Sequence, residues 1–141
     1  MATYSSSAYS NVSPIASHGV AQNCKVAFFT VSCTAAPSTS DTINFGYLPA
    51  NARVLLAVLE STDMDTNGSP TLTLNVGDSG DADRLFAAST VGQAGTLSTA
   101  LATTGAGYQY TSKTLITGVA NANAATGAAG TLYLTIFYVV E

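Results

Sequence analysis

The acidic side chains are the part of this sequence whose spacing could bind a cation. Six of the eight acidic residues lie between positions 60 and 83, namely Glu60, Asp63, Asp65, Asp78, Asp81 and Asp83. Residues 63–68 read D-M-D-T-N-G and match the first six positions of a calcium-binding loop, but Leu74 stands at the twelfth position, where a bidentate carboxylate is needed. Asn and Gly tolerate positive φ and are also typical of a tight hairpin between two strands. We therefore expect a hairpin at residues 63–68, with a calcium site as the alternative, and the sequence leaves open whether the cluster holds a cation.

Residues 78–83, D-S-G-D-A-D, follow a predicted strand directly. They predict a turn and the N-cap of a short helix over residues 83–91, because Leu85, Ala88 and Val91 recur at helical spacing after acidic residues. The alternatives are that these carboxylates join Asp63 and Asp65 in one cation site, or that they meet a basic patch on another protein.

The sequence contains no constellation for catalysis. His18 is the only histidine, so a histidine-based metal site or proton relay has no second imidazole. Residues 77–80, G-D-S-G, resemble the surroundings of one protease nucleophile, but a lone histidine near the N-terminus makes a triad improbable. Phosphate-binding, dinucleotide-binding and zinc-binding spacings are absent. We expect a protein that is not an enzyme and that has no cofactor and no small-molecule substrate.

The charge content separates this sequence from most cytosolic enzymes. Only 9% of its 141 residues are charged, and the four basic residues are scattered along the chain. No basic patch is therefore available to bind nucleic acid or the surface of a membrane. A surface rich in Ala, Ser, Thr and Gly is expected to contact other protein.

The two cysteines, Cys24 and Cys33, lie nine residues apart in one predicted strand, which separates them by about 30 Å. A disulfide requires Cα atoms within about 7 Å, so we expect free thiols. Residues 1–17 show no secretory signal, which favours synthesis in a reducing cytoplasm.

Alternating apolar residues and turn signals predict an all-β fold for residues 24–141. Seven or eight strands with one helical insertion indicate a β-sandwich, with a jelly roll as the favoured variety. Residues 1–23 are rich in Ser, Ala and Asn and are expected to be an extended N-terminal arm rather than a frayed tail. The arm residues expected to contact a partner are Tyr4, Tyr9, Ile15 and His18.

The most regular strand pattern is at residues 131–140. Leu132, Leu134 and Ile136 fall on one side, while Tyr133, Phe137 and Val139 fall on the other. A strand that is apolar on both sides belongs in the middle of a sheet or against a second subunit. Tyr133, Phe137 and Val139 are accordingly expected at an interface, and a cyclic trimer is the expected assembly.

A set of turn and strand patterns also resembles a known family. These patterns are residues 48–53, 63–65, 72–78, 81–86, 108–111 and 130–138. They resemble small structural proteins of tailed bacteriophages. The resemblance implies a capsid decoration (cement) protein, a β-sandwich subunit that binds the major capsid protein on the outside of the phage head and stabilises it. The alternatives are a head-fibre, tail or neck subunit, and a carbohydrate-binding β-sandwich displayed on the virion.

Overall fold

The computed structural model describes residues 23–141, and these residues form two antiparallel β-sheets and one 3-10 turn. The predicted all-β class is therefore confirmed. The strands are β1 (Lys25–Cys33), β2 (Ile43–Leu48), β3 (Ala52–Ser61), β4 (Thr73–Asp78), β5 (Asp81–Ser89), β6 (Leu97–Ser98), β7 (Gln109–Tyr110), β8 (Thr114–Ala122) and β9 (Gly130–Val140).

Successive strands often lie in different sheets. Sheet A has the order β1-β9-β3-β6, with β7 also paired to β3, and sheet B has the order β2-β8-β4-β5. Strand β9 lies between β1 and β3, as expected for a strand that is apolar on both sides. The chain therefore crosses from one sheet to the other after β1, β2, β3, β5, β7 and β8.

The core lies between the two sheets and is built from the inward residues of the alternating strands. Leu132, Leu134 and Ile136 of β9 are fully buried, as is Ile116 of β8. Phe86 of β5 is the largest fully buried side chain among the described residues.

The predicted helix over residues 83–91 is wrong, because most of this segment is strand β5, followed by the 3-10 turn at Val91–Gln93. The pairing of β5 with β4 is irregular, with two shifts of register, and Ala88 has a positive φ of 47°. Leu85 and Phe86 are therefore buried side by side, whereas Ala88, which a helix would place on the same side as Leu85, is exposed.

The turn predicted at residues 78–81 is present, but it joins β4 to β5 and caps no helix. The backbone N–H groups of Gly80 and Asp81 donate to Oδ1 of Asp78, at 2.8 Å and 3.1 Å. Gly77 is required beside this turn, because a Cβ atom there would lie 2.1 Å from the backbone oxygen of Asp81.

The hairpin predicted at residues 63–68 is also wrong. Strand β3 belongs to sheet A and β4 belongs to sheet B, so residues 62–72 form a connection between the sheets. Turn-forming residues give the chain a bend there, but they do not determine whether the next strand pairs with the last one.

Candidate interaction surface

The outer side of sheet A carries a group of exposed and half-buried apolar side chains, here called the apolar face, with Thr135 of β9 between two of its members. In the β-sheet register Phe137 of β9 lies between Val26 of β1 and Leu56 of β3. Paired residues of antiparallel strands share one side of a sheet, so these side chains form a row. The apolar face consists of Val26, Phe28, Leu55, Leu56, Leu97, Tyr133 and Phe137.

Aromatic rings reinforce the edge of this face. The Phe28 and Tyr133 rings stack with centroids 6.3 Å apart and an angle of 25° between their planes. The Phe28 side chain is nevertheless 64% exposed. The row that contains Tyr133 also contains one charged side chain, Glu60, which pairs with Tyr133 on one side and Leu97 on the other. An exposed group of this kind on a soluble domain is typical of a protein-binding site.

The outer side of sheet B is different in character. Its central rows pair Asn44 with Thr117, and Val119 with Asn75, so polar groups interrupt the apolar ones. Tyr47 is the large hydrophobic side chain that is most exposed there, at 57%, and the ammonium group of Lys113 lies 4.5 Å from its ring centroid. The two outer surfaces of the sandwich are therefore not equivalent, and sheet A presents the one suited to protein contact.

The structure brings together two of the interface residues predicted from the sequence. Tyr133 and Phe137 are half-buried members of the apolar face. Val139 is only 7% exposed, so the apolar face does not include it. The other predicted interface residues, Tyr4, Tyr9, Ile15 and His18, lie outside the described residues, as does nearly all of the predicted arm.

Asp65 of the acidic cluster binds two connections between the sheets, the one from β3 to β4 and the one from β8 to β9. Its side chain is 1% exposed, and Oδ2 accepts the N–H groups of Thr71, Leu72 and Ala125, at 2.7 Å, 3.0 Å and 3.0 Å. Oδ1 accepts the N–H of Thr126 at 2.9 Å. Burial alone would raise the pKa of Asp65, but the four amide donors outweigh it and hold the pKa well below its ordinary value. Both oxygens of this carboxylate are thus engaged by the backbone.

A second buried polar group lies at the β4–β5 turn, and the sequence patterns did not predict it. Arg84 Nε donates to Asp78 Oδ2 at 2.5 Å, and the guanidinium carbon lies 3.8 Å from the ring centroid of Tyr108. Burial raises the pKa of Asp78, but Arg84 and the turn amides lower it by more, so that the carboxylate stays ionised. Burial also raises the pKa of Tyr110, which packs edge-on against Tyr108. The sequence signal was a lone arginine beside three carboxylates, together with a Tyr-Gln-Tyr segment.

The remaining chemically reactive groups are the cysteines, which lie beside and within β1. Cys24 directly precedes the strand and is exposed, whereas Cys33 ends it and is half-buried, and both thiols are free. Burial raises the pKa of Cys33, and the negative charge of Asp41 adds to this effect. Within residues 23–141, no group of three metal-ligating side chains is close enough to hold an ion, and no helix is long and apolar enough to span a membrane.

Two solved structures are similar to this chain in both sequence and fold. A chain in the capsid asymmetric unit of cyanophage Pam1 is 43% identical, with a TM-score of 0.81, and the match covers 91% of this chain and 92% of that one. A chain in the capsid of Ralstonia phage GP4 is 35% identical, with a TM-score of 0.78 and coverage of 91% and 90%. A chain in the acid-stable capsid of Helicobacter pylori bacteriophage KHP30 shares the fold, at 16% identity, a TM-score of 0.57 and coverage of 86% and 92%. No protein-family model and no curated protein matches this sequence.

Proposed function

Since the chain belongs to a family of phage capsid-associated structural proteins, we propose that it is a decoration (cement) protein that binds the outside of the phage head and stabilises it. The observation that supports this proposal best is the apolar face of sheet A. A small subunit that exposes Phe28, Leu56 and Leu97 on one side of a sheet is suited to a permanent assembly rather than to a free monomer.

The occupant of the apolar face in this proposal is a second copy of the chain. Two charged side chains adjoin the face: Glu60 pairs with Tyr133 and Leu97, and Arg53, whose guanidinium group binds Glu141, pairs with Val139 at its end. A copy of the same surface therefore brings few charges that burial would strip of water. A homotrimer would cover the face on each copy by a closed ring of equal contacts. Such a ring matches a threefold or quasi-threefold position on an icosahedral shell.

The contact with the major capsid protein is assigned to the segment before β1. Residues 1–23, with Tyr4, Tyr9, Ile15 and His18, form the proposed arm that reaches the shell or a neighbouring trimer. Three arms on one trimer bind together more tightly than one arm does, because the second and third contacts form at high local concentration. Binding across neighbouring capsid subunits would then resist the outward pressure of packaged DNA. The proposed role requires no catalysis and no cofactor, and the protein acts in the virion after synthesis in the host cytoplasm.

We also infer that the sandwich is a jelly roll. The sheets contain the strands in the orders β1-β9-β3-β6 and β2-β8-β4-β5. We interpret this order as two interleaved Greek keys in which most connections cross between the sheets.

The proposal is tested with phage heads that lack this protein. We expect the purified protein to co-sediment with expanded heads, to appear on the outer surface in electron cryomicroscopy, and to raise the temperature at which heads release DNA. A protein found only in tail, neck or fibre fractions would contradict the decoration role and favour the alternative structural subunits.

A further inference from the structure

Among the described residues, strand β1 is a long edge strand that is paired on one side only. Its nine residues pair with β9 in a continuous register, without a bulge. The edge strands of sheet B are interrupted, because both β2 and β5 pair with shifts of register, and the other edge strand of sheet A, β6, has two residues. Strand β1 contains no proline, and its charged residue, Lys25, stands at its first position. The devices that usually prevent an edge from pairing with another chain are thus missing here.

The side chains of β1 are incompletely covered on both sides of the sheet. Val26 and Phe28 are exposed on the outer side, and Ala27, Phe29 and Val31 on the inner side are only half-buried. Leu132, Leu134 and Ile136 on the inward side of the adjacent strand β9, by contrast, are fully buried. A groove of about 410 Å³ lies at the Cys33 end of β1, between residues 31–37 and 41–44. The inward side of β1 is therefore less completely covered than that of the middle of β9.

We propose that the free edge of β1 binds residues 1–22 of a second copy of this chain as an added strand. These residues contain no Asp, Glu, Lys or Arg, so pairing them with a nearly uncharged edge strips no charged side chain of water. At about 3.3 Å per residue, 22 residues can span about 70 Å, which is more than twice the length of a nine-residue strand. Backbone hydrogen bonds dominate strand addition, so a segment rich in Ser, Ala and Asn can take part in it.

We assign the donor to a neighbouring copy rather than to the same chain, because the described residues before β1, Asn23 and Cys24, form no turn that would reverse the chain beside its own strand. Donation from copy to copy is a head-to-tail contact, and it closes into a ring when the rotation between copies is that of a trimer. A strand as long as the nine-residue β1 takes less than half of residues 1–22, so the rest of the arm remains available for the proposed contact with the shell. This proposal rests on the self-association proposed above but does not depend on binding to the phage head.

The native Cys33 makes a direct test feasible. In a full-length Cys24→Ser variant, Cys33 is labelled with a photoreactive maleimide at mildly alkaline pH, since burial raises the pKa of its thiol. Equal amounts of ¹⁴N- and ¹⁵N-labelled protein are denatured together, refolded and then irradiated, and cross-linked peptides are identified by mass spectrometry. The matched control places the label at Thr117→Cys, on the outer side of sheet B, in a chain with both native cysteines replaced by serine.

We expect the Cys33 label to capture peptides from residues 1–22 in mixed ¹⁴N–¹⁵N pairs, and the Thr117→Cys label not to do so. Cross-links confined to a single copy would show that the segment folds back on its own β1 and would overturn the proposal. Absence of any cross-link to residues 1–22 in a protein that sediments as an oligomer would also overturn it. Either result would leave the binding of the protein to phage heads intact, so the two proposals fail separately.

Discussion

Replacement of Phe28 by serine tests the apolar face most directly, because Phe28 is the most exposed large hydrophobic side chain among the described residues. A phenylalanine can bury about 200 Å², so the exposed 64% corresponds to roughly 130 Å² that a neighbouring copy could cover. At about 25 cal/mol per Å², complete cover contributes about 3 kcal/mol per contact and half cover about 1.5 kcal/mol. The Phe28→Ser variant should therefore dissociate with a Kd about 10-fold to 100-fold higher per contact.

The assay is sedimentation equilibrium over a range of protein concentrations, with thermal unfolding of each variant as a check of its fold. Tyr47→Ser is the matched control, because Tyr47 has a similar exposed fraction, 57%, but lies on the outer side of sheet B. We expect its association to equal that of the unmodified protein. If Phe28→Ser associated normally, or if Tyr47→Ser weakened association equally, the assignment of the apolar face as the contact between copies would be refuted.

Three further predictions concern the fold and the acidic cluster. Asp65→Asn should lower the melting temperature at pH 7, and the difference from the unmodified protein should shrink as the pH falls below 3.8, the ordinary pKa of the carboxyl group. The reason is that the ionised Asp65, whose pKa is lowered in the folded protein, stabilises the fold above that pH and loses this contribution when it is protonated. Equal melting curves at pH 7 would contradict this prediction. Gly77→Ala should lower the free energy of unfolding, measured in urea, by about 1–3 kcal/mol, because the added Cβ atom would meet the backbone at Asp81. The control Gly68→Ala has open space around its Cβ atom and should change that free energy by less than about 0.5 kcal/mol. Addition of calcium or of a chelator should leave the melting temperature unchanged, because backbone N–H groups already bind both oxygens of Asp65. A rise of several degrees with calcium would show that the acidic cluster binds the ion.

Most strands could be predicted because their alternation reports directly which side of a sheet is buried. The apolar residues on both sides of residues 131–140 predict a strand in the middle of a sheet or against a second subunit, and this segment is part of the central strand β9. Alternation of Leu72, Leu74 and Val76 predicts a strand over residues 71–76, and β4 lies two residues further along at each end. Alternation is a local property of the sequence, so it can be recognised without knowing which strand is the partner.

The errors arose where the partner determined the structure. The spacing of Leu85, Ala88 and Val91 after acidic residues favours a helix over residues 83–91, whereas pairing with β4 makes most of this segment strand β5. Asn67 and Gly68 favour a hairpin at residues 63–68, but the choice of sheet is made by contacts with distant parts of the chain, such as those of Asp65 with residues 125 and 126. Such long-range contacts cannot be predicted from a short stretch of sequence.

The candidate surface was only partly visible in the sequence. Tyr133 and Phe137 could be assigned to the outer side of β9 from alternation alone. The contributions of Phe28 and Leu56 depend on the strand order that places β1 and β3 beside β9, and nothing in a single sequence gives that order. The free edge of β1 also follows from this strand order, so it could not be predicted from the sequence either.

The central position of β9 also constrains when the protein can fold during its synthesis. Strands β1 and β3 do not pair with each other, and each meets β9 only after the ribosome has translated about residue 140 and released it from the exit tunnel. Until then β1 has no partner strand in sheet A, and β3 has only the two-residue strands β6 and β7. After β3 is made, the nascent chain must remain unaggregated for the time needed to translate roughly 80 further residues, about 4–16 s at bacterial rates. Formation of sheet A is then slow relative to that of helical domains, since contacts so distant in sequence carry a large entropic cost. Ribosome stalling just before β9 should therefore leave a protease-sensitive nascent chain, whereas release of the chain beyond Val140 should allow it to become resistant.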